Sequence, residues 1–193
     1  MLLPGLITPV RYLFPLVRYL RKNQSGYGVA AISLRLSIAD FDSIVARATN
    51  TITQNLLQKT RPGTVVLLGH SHGGRVACEV ARRLKKTFPA VEYVVITAGT
   101  PIRMRPDYLS WLHKKFFSIS KAYRSWPAVV QPNPTVVKKY IGYFSTDDRT
   151  IIPECAKAGF AGQLIELHGL SHRDLISPTK MGPVLLKLLE NLK

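Results

Sequence analysis

Hydrophobic residues along the chain follow two different patterns. Short runs of apolar residues, many of them β-branched, alternate with longer segments in which apolar residues recur every three or four positions. The first pattern is typical of strands buried on both faces, and the second of amphipathic helices that pack on a sheet. Their alternation predicts an α/β fold, with a mainly parallel sheet and helices on both of its faces.

Six segments fit the strand pattern, and we expect them to form one sheet within a single domain over residues 1–193. They are residues 1–6, 27–34, 64–68, 91–98, 136–145 and 163–167. Helical periodicity occupies most of the intervals between them, at residues 10–22, 40–59, 75–86 and 178–192. Asp40 is placed to cap the second helix, and Arg61-Pro62-Gly63 is expected to end it.

Residues 101–134 interrupt this alternation and are expected to form a short helical insertion. A helix over 107–123 would carry large apolar side chains beside several lysines. The sequence leaves three roles open: a lid over a substrate site, an anchor at an anionic lipid surface, or a packed surface helix. The candidate substrate-binding or lid residues are Trp111, Leu112, Phe116 and Phe117.

Charge is the most unusual feature of the composition. The 193 residues contain 27 Lys plus Arg against 11 Asp plus Glu, which gives a net charge of +16. An apolar content of 46% excludes a disordered polycation, so this charge belongs to a folded surface. Such a surface favours a polyanionic partner, either an anionic membrane at its periphery or, from charge alone, nucleic acid. A solvated surface with no specific partner is the third interpretation, and the oligomeric state is left open.

The sequence gives little information on the compartment. The longest stretches without a charged residue span only about a dozen positions, too few to cross a bilayer, so no transmembrane helix is expected. Asp40 is the first acidic residue, which is typical of a transit peptide, but the opening MLLPGL lacks a charged region. We therefore expect no signal peptide and favour a cytoplasmic or peripheral membrane location. Cys78 and Cys155 make no disulfide framework.

The sequence Gly69-His70-Ser71-His72-Gly73 matches the pattern G-x-S-x-G between a buried strand and an amphipathic helix. A sharp turn from strand to helix forces the serine into a strained backbone conformation. That conformation is tolerated only where the residues two before and two after the serine lack side chains. The pattern therefore predicts that Ser71 is a nucleophile whose hydroxyl stands clear of the sheet at the end of its strand.

A serine nucleophile needs a base within hydrogen-bonding distance and a third group that orients the base. Asp147 and Asp148 follow the strand at 136–145, and His172 follows the strand at 163–167. Because parallel strands end at one edge of a sheet, these residues are expected to meet Ser71 there. The pattern alone does not choose between the two aspartates. The other histidines match no strong zinc motif, and neither metal nor cofactor is expected.

These motifs resemble those of the α/β-hydrolase superfamily, and most of all its compact lipases and esterases. The matching segments are LPGL, YLRKNQSGYGVAAISL, LLGHSHGG, VVITAGTP, YFSTDDRTIIP and LHGLSHRDLI. The resemblance implies an α/β-hydrolase fold of three layers, with Ser71 as nucleophile and His172 as base. It favours Asp148 as the acid, with Asp147 as the alternative.

The resemblance also implies an oxyanion hole formed by the backbone N–H groups of His72 and Leu6. The chain departs from many relatives at Pro4-Gly5, where they have His-Gly. Because the hole uses backbone donors, this change need not abolish activity, although it can alter the geometry of the loop.

We therefore expect a serine hydrolase that cleaves carboxylic esters, with an acyl ester or lipid as substrate and an acyl-enzyme intermediate. Two alternatives remain at this stage. The same three side chains would serve a thioesterase or an acyltransferase. A non-catalytic protein with this fold that binds a polyanion is the second alternative, because fold does not determine function.

Overall fold

The central element is a parallel sheet of five strands. The computed structural model describes residues 1–5, 9–23, 26–34, 40–60, 62–103, 127, 130 and 135–192. The strands lie side by side in chain order, and every neighbouring pair is parallel. They are β1 (Leu2–Leu3), β2 (Thr64–His70), β3 (Glu92–Ala98), β4 (Lys139–Ser145) and β5 (Gln163–Leu167).

The predicted strand over 27–34 is reduced to a single parallel bridge, between Leu2 and Ala31. The Leu2 N–H donates to the Ala30 carbonyl at 2.8 Å, and the Ile32 N–H donates to the Leu2 carbonyl at 2.9 Å. The ladder extends no further because β1 is two residues long and is followed by Pro4, which has no N–H to donate. The structure therefore has five strands and one isolated bridge at the edge of the sheet, where the sequence predicts six strands.

Helices cover both faces of the sheet, as the alternating pattern predicts. Helices α2 and α3 pack on one face, and α1 and α5 pack on the other. The helices are α1 (Phe14–Asn23), α2 (Phe41–Ile52), α3 (His72–Thr87), α4 (Pro153–Lys157) and α5 (Gly182–Glu190). A 3₁₀ turn, Val10–Leu13, leads into α1, and another spans Asp174–Ile176.

The side chains of β3 explain why the central strands are continuous apolar runs. Tyr93 and Val95 lie in the cluster under α2 and α3, whereas Val94 and Ile96 lie in the cluster under α1 and α5. Successive side chains thus point to opposite faces, and both faces are covered. After the exposed Glu92 at its start, this strand has no solvent-facing position at which a polar residue would be favoured.

Local sequence signals set the start of α2 but not its full length. The Asp40 carboxylate accepts the Ser43 backbone N–H at 2.9 Å and the Ser43 hydroxyl at 2.7 Å, so Asp40 is the N-cap. The predicted continuous helix to residue 59 is instead interrupted, since Thr53–Leu57 forms a π-helical turn before a last α-turn at Gln58–Thr60.

Most of the insertion at 101–134, including the predicted helix over 107–123, lies outside the described residues. The described part shows how its ends are held. Ile102 is buried and its carbonyl accepts the Val130 N–H at 3.3 Å. In the part of the chain that the structure describes, no helix combines the length and apolar character needed to cross a membrane.

Replacing Ile44 by Ala should destabilise the fold, because Ile44 of α2 is fully buried in the cluster shared with α3. The expected loss in free energy of unfolding is about 2–5 kcal/mol. Arg47→Ala, on the exposed side of the same helix, is the matched control and should cost less than about 0.5 kcal/mol. Urea denaturation of both variants tests this, and equal losses would contradict the packing described.

Candidate active site

The turn between β2 and α3 holds Ser71 in a strained backbone conformation. Ser71 has φ 53° and ψ −130°, and it is the only residue other than glycine with positive φ in the described part of the chain. Its N–H donates to the Ala98 carbonyl of β3 at 2.8 Å, and its carbonyl accepts the Gly74 N–H at 3.0 Å. These bonds fix the serine at the carboxyl end of β2, in a conformation typical of functional sites.

Close backbone packing explains the glycines on either side of Ser71. A Cβ atom at Gly69 would lie 2.3 Å from the Gly74 Cα atom, and one at Gly73 would lie 2.3 Å from the Pro4 carbonyl oxygen. Real Cβ atoms essentially never approach so closely. The G-x-S-x-G pattern does not include Gly74, where a Cβ would lie 2.0 Å from the Thr100 hydroxyl oxygen.

The structure brings Asp148 and His172 into direct contact, at the edge of the sheet where Ser71 lies. The His172 Nδ1 atom is 2.7 Å from the Asp148 Oδ2 atom. Because a carboxylate only accepts hydrogen bonds, His172 must carry a proton on Nδ1, which places the lone pair of the neutral ring on Nε2. The Asp148 side chain is 1% exposed, and that of His172 is 14% exposed.

The second oxygen of Asp148 fixes the carboxylate in place. Its Oδ1 atom accepts the backbone N–H groups of Thr150 at 2.8 Å and Ile151 at 2.9 Å. The chain after β4 therefore folds around the carboxylate and directs Oδ2 toward His172. Such an arrangement orients an imidazole and would stabilise its protonated form.

The other aspartate considered as the acid, Asp147, has different contacts. Its Oδ2 atom accepts the Gly169 N–H at 2.6 Å and the Thr146 hydroxyl at 3.2 Å. Asp147 therefore connects the loop after β4 to the loop after β5, next to the segment that carries His172. Its observed partners are a backbone amide and a neighbouring hydroxyl.

His70 contacts the same segment from β2. Its Nε2 atom lies 2.9 Å from the His172 carbonyl oxygen, and the two imidazole centroids are 4.5 Å apart. Because a carbonyl only accepts, His70 must be the donor through Nε2–H. Burial, together with the charge of His172, lowers the pKa of His70 from 6.5 to about 3. His70 is therefore a neutral donor that holds the backbone of the candidate base.

The sequence pattern predicts no function for His70 beyond flanking Ser71. Its place at the end of β2 put it at the correct edge of the sheet. Its partner, however, is a backbone carbonyl 102 positions away, and no local pattern identifies such a contact.

His72 is the first residue of α3, where backbone N–H groups lack partners within the helix. The partial positive charge of a helix N-terminus favours a developing anion at this position. The imidazole of His72 is buried, and burial lowers its pKa well below 6.5. Leu6, the second predicted oxyanion donor, lies outside the described residues, as do Trp111, Leu112, Phe116 and Phe117.

Arg75 is a second residue whose contact no sequence motif predicts. It is fully buried in the first turn of α3, and its Nη2 atom donates to the carbonyl of Pro127. The guanidinium thus connects the helix that follows Ser71 to the insertion. The only signal in the sequence is a cationic residue beside glycines and apolar residues in a segment predicted to be buried.

Comparison with known proteins gives the family. The alpha/beta hydrolase family model matches residues 1–162, well over half of the chain. The chain belongs to the alpha/beta hydrolase family. A search of curated proteins gives no match.

Solved structures of several alpha/beta hydrolase-like enzymes are similar to this one. The RedJ thioesterase of the prodiginine pathway in Streptomyces coelicolor is 16% identical with a TM-score of 0.65, over 97% of this chain and 87% of that chain. An esterase from Thermogutta terrifontis is 14% identical with a TM-score of 0.61, over 99% and 87%. A lipase-esterase related protein from Clostridium acetobutylicum is 14% identical with a TM-score of 0.59, over 98% and 93%. At these identities the likeness shows the fold alone.

The family match includes Ser71 and Asp148 but ends before His172. The contact between His172 and Asp148 is therefore an observation of the structure that is independent of that match. Within the described residues of this alpha/beta hydrolase, no three His, Cys, Asp or Glu side chains are grouped as metal ligands would be.

Burial of His70 in its neutral form should make the stability depend on pH. Because its folded-state pKa of about 3 is below the ordinary 6.5, the unfolded chain binds more protons below pH 6.5. The stabilisation is present above pH 6.5 and is lost as the pH falls toward 3. From about pH 7 to about pH 5 this one group should cost about 2 kcal/mol.

His70→Gln tests this, because glutamine can still donate to the His172 carbonyl but cannot titrate. Urea denaturation at both pH values should show a smaller loss of stability in the variant than in the original chain. The same loss in both proteins would show that His70 is not buried in its neutral form.

Proposed function

We propose that this alpha/beta hydrolase is a serine hydrolase that cleaves carboxylic esters through an acyl-enzyme intermediate. The observation that carries the proposal is the 2.7 Å contact between His172 Nδ1 and Asp148 Oδ2, at the edge where Ser71 lies in its strained turn. A nucleophile, a base with an available Nε2 and a buried acid are the three groups that acyl transfer requires.

In the first half of the reaction, the Ser71 hydroxyl oxygen attacks the carbonyl carbon of the ester, and its proton moves to His172 Nε2. Asp148 stabilises the imidazolium through Nδ1–H. The negative charge on the former carbonyl oxygen is stabilised by the His72 N–H, with Leu6 as the expected second donor. The bond to the leaving oxygen then breaks, and the imidazolium gives its proton to the alcohol.

In the second half, water attacks the acyl-enzyme, and His172 takes its proton. The Ser71 oxygen leaves and is protonated again, which releases the carboxylic acid. We expect an apolar acyl chain, held under the insertion at 101–134 with Trp111, Leu112, Phe116 and Phe117 as its contacts.

Ser71→Ala should lower turnover of p-nitrophenyl esters by about 10⁴-fold or more, because the proposed acyl-enzyme forms on the Ser71 oxygen. The series should run from acetyl to long acyl chains, so that the preferred length separates an esterase from a lipase. Ser33→Ala, at an exposed serine, is the matched control and should keep full activity. Turnover that survives in Ser71→Ala would identify another nucleophile.

The same assay with acyl thioesters tests the nearest alternative. RedJ and the type II thioesterase BorB of the borrelidin biosynthetic cluster have similar folds. We expect a higher kcat/KM for the oxygen ester than for the thioester with the same acyl group. The reverse order would make the protein a thioesterase with the same nucleophile.

Asp148→Asn should lower kcat by about 10³–10⁴-fold, because an amide would favour the wrong tautomer of His172. Asp147→Asn is the matched control, since Asp147 bonds Gly169 and Thr146 instead. It should keep activity within about tenfold of the original chain, because the amide oxygen of asparagine can still accept the Gly169 N–H and only the charge is lost. If Asp147→Asn were the more damaging change, the acid would be Asp147.

A further inference from the structure

Three large apolar side chains are exposed in the described part of the chain: Tyr12 at 53%, Phe14 at 47% and Ile152 at 37%. Tyr12 and Phe14 follow β1, and Ile152 follows β4. Because all the strands are parallel, both segments leave the same edge of the sheet, the one at which β2 ends in Ser71. The exposed apolar surface is therefore concentrated at one edge of the molecule.

Exposed arginines accompany these residues at the same edge. Arg11, Arg103, Arg149 and Arg173 follow β1, β3, β4 and β5 respectively, and all four are exposed. The Arg11 guanidinium lies 5.6 Å from the centre of the Tyr12 ring, within the range of a cation–π contact. We call the three apolar side chains and these four arginines the edge surface.

Acidic residues offset only part of this charge. Asp148 is buried against His172, and Asp174 is paired with Lys180 at 3.0 Å. Asp147 and Glu154, the latter in the first turn of α4, are the exposed acids in the described segments that follow the strands at this edge. Positive charge also extends along α1, because Arg18 and Lys22 are exposed on the same side of the helix as Phe14, and residues 1–39 contain no acid.

We propose that the edge surface binds anionic lipid bilayers. Tyr12, Phe14 and Ile152 would enter the boundary between headgroups and acyl chains, while the arginines would contact lipid phosphates. Nucleic acid would also attract the charge, but Ile152 has no ring that could stack on a base. A lipid surface fits better, because it offers the exposed aromatic and aliphatic side chains an apolar layer to enter and offers the neighbouring arginines lipid phosphates.

This proposal does not depend on the hydrolase activity. It concerns side chains on the rim of the edge, and none of them is a group of the proposed reaction. A bilayer bound in this way would nevertheless face Ser71, which lies at the same edge. Loss of lipid binding and loss of catalysis can therefore be measured separately.

Vesicle flotation tests the proposal, with phosphatidylcholine vesicles prepared with and without phosphatidylglycerol. The protein should bind the anionic vesicles, and added salt should weaken the binding. Arg11→Gln/Arg103→Gln should weaken it by about fivefold for each charge removed. Tyr12→Ser/Phe14→Ser should weaken it by about tenfold or more, without any change in net charge.

Lys59→Gln/Lys86→Gln is the matched control, because both lysines are exposed and precede β2 and β3, at the opposite edge. It removes the same charge and should leave binding within about twofold. Equal weakening by both double variants would mean attraction through net charge and would overturn the proposal. Absence of vesicle binding would also overturn it, and binding to an oligonucleotide alone would identify nucleic acid as the partner.

A label at position 14 gives a direct second readout. Both native cysteines are buried, so Phe14→Cys introduces an accessible thiol for an environment-sensitive dye. Its emission should shift to shorter wavelength when anionic vesicles are added, whereas the same dye on Lys86→Cys should not respond. A response at position 86 but not at position 14 would place the membrane contact at the opposite edge of the sheet and would overturn the proposal.

Discussion

The backbone turn at Ser71 is the constraint on which the rest of this structure depends. It holds β2, α3 and the end of β1 so close together that no side chain fits at Gly69 or Gly73. The Ser71 N–H bonds the Ala98 carbonyl, which connects the turn to β3 as well. The positive φ of Ser71 costs free energy, and the contacts around the turn must offset that cost.

A second constraint is the narrow space in which the acid and the base meet. A Cβ atom at Gly99 would lie 3.1 Å from both Asp148 Oδ2 and His172 Nδ1, and Gly99 itself has φ 55°. The loop after β3 thus leaves room for the pair, while His70 holds the His172 carbonyl. The segment around His172 is held further by Asp147, through Gly169. The candidate base is therefore fixed by its backbone as well as by its side chain.

Features that depend on local sequence were predictable. The apolar runs of β2 and β3, the cap at Asp40 and the glycine pattern around Ser71 are each visible as a motif within a few residues, although Gly73 packs against the distant Pro4 carbonyl. The edge of the sheet at which Ser71, Asp148 and His172 lie also follows, because parallel strands all end there. Their catalytic roles and that of His72 remain predictions. The structure shows the contact of Asp148 with His172 that favours it over Asp147 as the acid.

Features that depend on distant partners were not predictable. The segment at 27–34 has strand composition but forms one bridge, because β1, the strand it pairs with in the described part of the chain, is two residues long. The π-helical turn after Ile52 leaves no visible break in the helical spacing of apolar residues, so the sequence does not predict it. The contacts of His70 and Arg75 each join a side chain to a backbone carbonyl far along the chain. Both side chains are buried, and which residues surround a buried side chain depends on the whole fold and not on the local sequence.

The most direct test of the account is covalent trapping of the nucleophile. The protein would be treated with a fluorophosphonate that carries an alkyl chain, and the modified residue identified by peptide mass mapping. We expect one adduct, on Ser71, which forms much more slowly in His172→Ala because the base is absent. An adduct on another residue, or none in the folded protein, would contradict the claim that this edge carries an active serine.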